Sequence, residues 1–204
     1  MIYLMIDIMS GAVIALPLTW LFLAYCKTLS RSRFLWASLF TLYLCAMFDR
    51  VGIPAIQYCT WHPAVNLIPF TDEKNLRFFL QVGLNAVLFL PFGFLLPVLW
   101  RKCRSWKSTV AAGFLTSLGI EILQLFCYRA TDVDDLIMNT LGTFLGYIIA
   151  WACFHKKWME DRGTETCTIN AWASLVFSIL IPLLVIIFVR TLVCGWIYSM
   201  PLFD

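Results

Sequence analysis

Charge is what this sequence has least of. Only 13% of its 204 residues are Asp, Glu, Lys or Arg, against roughly a quarter in a soluble domain. Hydrophobic residues make up 61%, and the mean hydropathy is +0.83. Together these exclude an ordinary soluble domain and imply a membrane protein. The net charge of +3 lies in short clusters, so nucleic acid is not an expected partner. Histidine is nearly absent: His62 falls in a loop and His155 beside a basic cluster, which leaves no zinc-ligand set. The eight cysteines include no C-x-x-C pair. Most lie in or beside apolar runs, where cysteine acts as a small hydrophobe, and no disulfide framework is expected. There is no G-x-S-x-G, no P-loop, no internal repeat and no low-complexity segment. The first apolar run is preceded by no basic segment and followed by no small-residue cleavage site. It is expected to be a retained helix rather than a signal peptide.

Long apolar runs are what the chain has instead. About 20 apolar residues in a helix cross a hydrocarbon core of about 30 Å. Runs near 8–26, 34–54, 78–100, 108–128, 132–154 and 166–190 predict six transmembrane helices in a single all-α, multi-pass membrane domain. The second run is short, and to span it must continue past Asp49 and Arg50 toward Pro54. Basic loops alternate: Lys27, Arg31 and Arg33, then Arg101, Lys102, Arg104 and Lys107, then Lys156, Lys157 and Arg162. Lysine and arginine favour the cytoplasmic side, which puts both termini outside.

Polar residues inside these runs carry the functional signal. An acid such as Glu121 in an apolar helix costs roughly 2.5–3.5 kcal/mol to insert, so it marks a partner or a job. Counted from the predicted helix ends, Asn85, Glu121 and Asn139 fall about 10–12 Å below the outer surface. Gln124 shares a helix face with Glu121, and Asn139 shares one with Asp135. The spacing predicts an outward-facing polar pocket between the third, fourth and fifth helices. Gly142 and Gly146 continue the Asn139 face as a small-xxx-small patch for close helix approach, including a homo-oligomer contact. Glu121 suits two roles, a core carboxylate that fixes packing or a proton-transfer or ligand-binding group. Asp132 suits a helix cap, and Asp134 and Asp135 suit the first helical turn. With Glu121 these acids could hold a hard divalent cation. Arg129 and Arg50 suit a phosphate grip, or snorkelling and pairing with nearby acids. Asn66 is expected in an interfacial loop bonding backbone groups, and Pro91 and Gly93 mark a kink or close packing.

The ordered set Asn66-Leu-Ile-Pro69-Phe70, Asn85-x-x-x-Phe89-x-Pro91-Phe92-Gly93, Glu121-x-x-Gln124 and Arg129-x-x-Asp132-x-Asp134-Asp135-x-x-x-Asn139-x-x-Gly142-x-x-x-Gly146 resembles the VanZ-like family. The resemblance covers about 66–147 and implies a small polytopic protein of the bacterial cytoplasmic membrane. The family's namesake is associated with teicoplanin resistance, so a role in handling or modifying a lipid-linked or phosphate-bearing envelope component is implied. On that reading Glu121, Asp134 and Asp135 are the candidate catalytic groups. Arg129, Asn85, Gln124, Asn139, Asn66, Arg50 and Asp132 are the candidate ligand-binding groups. A proton-coupled transporter of an envelope precursor and a non-catalytic scaffold are the alternatives.

Overall fold

The computed structural model describes residues 2–26, 30–53, 59, 61, 64–66, 68–69, 76–126, 131–160, 170–190 and 192. Six α-helices account for most of them, as the apolar runs predict. They are α1 (Ile2–Tyr25), α2 (Arg31–Arg50), α3 (Leu76–Leu99), α4 (Trp106–Gln124), α5 (Val133–Glu160) and α6 (Ala171–Leu184). The chain divides into two compact units, one of residues 1–60 and 166–204, the other of residues 61–165.

In the first unit α1, α2 and α6 pack, and α6 continues as a π-helical turn over Val185–Arg190. Polar ties stitch α1 to α2: Thr41 Oγ1 donates to Thr19 Oγ1 at 3.2 Å, and Trp20 Nε1 to Ser38 Oγ at 3.0 Å. The second helix departs from expectation. It starts earlier, at Arg31, where the Ser30 hydroxyl accepts from the Arg33 N–H, and it stops at Arg50 rather than running toward Pro54. The cause is Gly52, whose φ of 72° leaves the right-handed region and ends the helix in the manner typical of a glycine just past the last turn.

The second unit contains two short strands, β1 (Val65–Asn66) and β2 (Thr131–Asp132), which lead toward α3 and α5. They pair in parallel, Val65 opposite Thr131 and Asn66 opposite Asp132. The helices behind them also run parallel. A Cβ on Gly142 would lie 2.1 Å from the Ala86 carbonyl oxygen, and one on Gly146 2.0 Å from that of Leu90, so the contacts advance in the same direction on both helices. Gly93 meets the Thr143 backbone as closely. The helix approaching the Gly142–Gly146 patch is therefore α3 of the same chain, which corrects the expectation that a second copy docks there: backbone already fills the space. Gly93 serves this same close packing, and Pro91 lies inside α3. Helix α4 returns antiparallel to α5, with Ser117 beside Asn139 and Gly113 beside Thr143.

Along α4 and the first half of α5 burial is inverted relative to a soluble bundle. Thr109, Gly113, Ser117, Glu121 and Gln124 form the inward stripe of α4, while Phe114, Leu115, Ile122 and Phe126 are exposed. Helix α5 likewise buries Asp134, Asn139 and Thr143 and exposes Ile137, Leu141, Leu145 and Ile148. Polar groups inside and apolar groups outside suit a surrounding hydrocarbon solvent. Among the described residues four stretches are long and apolar enough to cross a membrane: Ile8–Tyr25, Val82–Leu99, Val133–Met159 and Ala171–Phe188. Helices α2 and α4 fall short of that measure because each carries charge or a polar stripe.

Candidate functional site

The acids and amides singled out in the sequence gather where α4 ends and α5 begins. Helix α4 stops at Gln124, four residues before the predicted end at Tyr128. Glu121 therefore sits in its last turn, where the helix dipole presents partial negative charge. An acid there is on the unfavourable pole. It is answered from the other side: Glu121 Oε2 accepts from the Asp132 backbone N–H at 3.2 Å, just ahead of α5, and the Thr131 hydroxyl donates to the Glu121 carbonyl at 3.0 Å. The Glu121 side chain is 4% exposed.

The start of α5 is acidic by design of its dipole. Asp132 Oδ1 accepts from the Asp134 N–H at 3.0 Å and caps the helix, as the sequence predicts. Asp134 is only 2% exposed, so it does not belong to a solvated terminus. Asp135 faces α3 and accepts from Asn85 Nδ2. Asn139, one turn further on, is 3% exposed and donates through Nδ2 to Ser117 Oγ at 2.9 Å. Its Oδ1 has no hydrogen-bond partner among the described residues. The Thr143 hydroxyl donates to the Asn139 carbonyl at 2.9 Å.

The expected single level of Asn85, Glu121 and Asn139 resolves into two. Asn85, Asp135, Glu121 and Asp132 form the outer level, and Asn139 with Ser117 the inner, one helical turn away, about 5.4 Å. The difference follows from the early end of α4, which brings Glu121 closer to its helix terminus than the apolar run implies. Gln124, buried at the same end of α4, stands on the Glu121 face. Asn66 lies in β1 beside Asp132, and its Oδ1 accepts from the Ile68 N–H at 3.3 Å, so it does bond backbone. Arg50 is exposed at the last residue of α2, in the other unit. Arg129 lies outside the described residues, as do His62 and Cys127.

Sequence reasoning passed over Ser117, Thr131 and Thr143. Ser117 precedes Glu121 by four residues and Thr143 follows Asn139 by four, so face periodicity alone would have found both. Among the described residues no group of three or more His, Cys, Asp or Glu is arranged to hold a metal ion. What the arrangement offers is a carboxylate buried between helices, three further acids within four residues, and amides on each neighbouring helix.

A family model described as VanZ/LLP1 matches residues 34–155, from α2 through most of α5. The match reaches well beyond 66–147 and takes in the second helix. Protein VanZ of Enterococcus faecium is 39% identical over 84 residues, which cover 41% of this chain and 50% of that protein. The chain thus spans about half the length of the curated relative it matches. No solved structure matches.

Proposed function

The chain is a membrane protein of the VanZ/LLP1 family, and from that premise we propose that the acid- and amide-lined end of its second unit binds a phosphate- or sugar-bearing component of the bacterial cell envelope. The consequence would be reduced sensitivity to glycopeptides of the teicoplanin type. The observation that carries this reading is the buried Glu121 carboxylate, held by the Asp132 N–H where two helix ends meet. In this proposal Glu121 moves a proton or holds a cation, with Asp134 and Asp135 as its partners. Asn85, Gln124, Asn139 and Asn66 orient the ligand. Four neighbouring acids repel a phosphate, and in a low-dielectric setting that repulsion is strong. An anionic ligand therefore needs counter-charge, for which Arg129, two residues before Thr131, and a hard divalent cation are the two sources. Arg50 belongs to the first unit and takes no part in this proposal. The proposed setting is the bacterial cytoplasmic membrane, with this end facing outward and the basic loops inward.

One set of contacts favours a second reading. Asn85 ties α3 to α5, Asn139 ties α5 to α4, and Glu121 ties α4 to the start of α5, which is what a non-catalytic scaffold would need. Glu121→Gln separates the two, because an amide oxygen still accepts from the Asp132 N–H but the group no longer ionises. Teicoplanin susceptibility would be measured in a sensitive host expressing either form, with membrane levels checked by blot. Loss of protection at normal protein level supports the ionisable role. Equal protection would remove it and leave the scaffold.

A further inference from the structure

The opposite end of the second unit has a different character. Antiparallel packing of α4 on α5 brings the start of α4 to the end of α5, and with them two basic clusters far apart in sequence. Arg101, Lys102 and Arg104 occupy a 3-10 turn, Lys107 opens α4, and Lys156 and Lys157 lie in the last turns of α5, which closes on Glu160. The juxtaposition is a contact and not just a tendency: the Arg104 guanidinium lies over the Trp158 ring, 5.6 Å from its centroid, and the Tyr147 hydroxyl donates to the Arg104 carbonyl at 3.0 Å.

The neighbouring surface of α4 and α5 is apolar. Trp106, half exposed, meets Phe144 edge-on at 6.3 Å near the middle of α5, where Leu145 and Ile148 are also exposed. The Lys107 ammonium lies 5.8 Å from the Trp106 centroid. Lys107, Lys156 and Lys157 are exposed. Trp158 lies under the Arg104 guanidinium and Trp106 under the Lys107 ammonium; tryptophan beside basic side chains is the signature of a headgroup interface, and long basic side chains reach outward from such a surface to phosphate. Exposed cations at one end of a unit whose neighbouring surface is apolar fit one ligand chemistry, an anionic head on a long apolar tail.

We infer that the α4-start and α5-end of the second unit form a seat for anionic phospholipid, with Lys107, Lys156 and Lys157 holding the headgroup phosphate and Trp106 and Phe144 lying along the acyl chain. A soluble anion would not use the apolar surface, and a neutral lipid would not use the lysines. The seat is at the far end of the unit from Glu121 and is independent of what binds there.

The test uses the full chain extracted in mild detergent and offered equal amounts of phosphatidylglycerol and phosphatidylcholine, with retained lipids counted by native mass spectrometry. Phosphatidylglycerol is expected to be retained preferentially. The preference should fall about fivefold for each lysine removed in the series Lys107→Gln, Lys156→Gln and Lys157→Gln. Equal retention of both lipids by the wild type overturns the proposal, as does an intact preference in the triple variant. Should that variant aggregate, a salt series on the wild type decides instead. A preference that fades toward 1 M salt supports an ionic seat, and one that survives unchanged refutes it.

Discussion

Glu121 stands at the wrong pole of its own helix and is stabilised by the right pole of the next. That arrangement explains why a carboxylate persists at 4% exposure in an apolar chain. The bond joining Asn85 to Asp135 does comparable work between α3 and α5. Asn85→Ala would leave the Asp135 carboxylate short of a donor, and such a loss destabilises by about 1–3 kcal/mol. A lowered unfolding midpoint in detergent is the expected result. An unchanged midpoint would show that the tie contributes nothing to the fold. At this scale the sequence shows which residues are polar in apolar runs but not whom they meet. Asn85, Glu121 and Asn139 are conspicuous because they are polar in apolar runs. Their partners are a helix-start aspartate, a backbone N–H and a serine; Asp135 stands out in the sequence, but its pairing with Asn85 and the other two partners do not until the helices are placed side by side.

Helix types and their number follow from apolar runs, but their ends do not, because in this chain the ends are set by local backbone chemistry. Gly52 stops α2 at Arg50, and α4 gives way at Gln124 although apolar residues continue to Phe126. Those few residues decide where Glu121 lies. The α3–α5 contact was half legible: Gly142 and Gly146 announce close approach, and the sequence does not say to which helix. The structure makes a contrast that can be measured. Gly142→Ala and Gly146→Ala would drive a Cβ to about 2 Å from a backbone oxygen, and overpacking of this kind usually costs about 1–3 kcal/mol. Gly83→Ala and Gly119→Ala meet nothing within 4 Å and should be neutral or stabilising by up to about 1 kcal/mol through helix propensity. Unfolding midpoints of the four variants check this. Similar losses in all four would contradict the packing, since only two of the glycines face a helix.

Across the second unit, Glu121, Asp132, Asp134 and Asp135 lie at one end and Arg101, Lys102, Arg104, Lys107, Lys156 and Lys157 at the other, because α5 runs one way and α4 the other. Positive residues favour the cytoplasmic face, so Val65, exposed beside the acidic end, and Lys157 should lie on opposite sides of the membrane. In a background freed of native cysteines, Val65→Cys is expected to react with an impermeant maleimide in intact cells, and Lys157→Cys only after permeabilisation. The reverse pattern would turn the unit over and place Glu121 on the cytoplasmic side. Alternation of basic loops in the sequence is what predicts this orientation. The division into two units was not readable, because the first is assembled from both ends of the chain and no composition shift marks it. The parallel pairing of α3 with α5 has a further consequence for biosynthesis. The groove along α3 that Gly142 and Gly146 fill must wait, while the ribosome delivers α4 and the turn beyond it, before its occupant exists. Until then Ala86, Leu90 and Gly93 face lipid or the insertion machinery, and a nascent chain released before Gly146 is left with its tightest helix contact unmade.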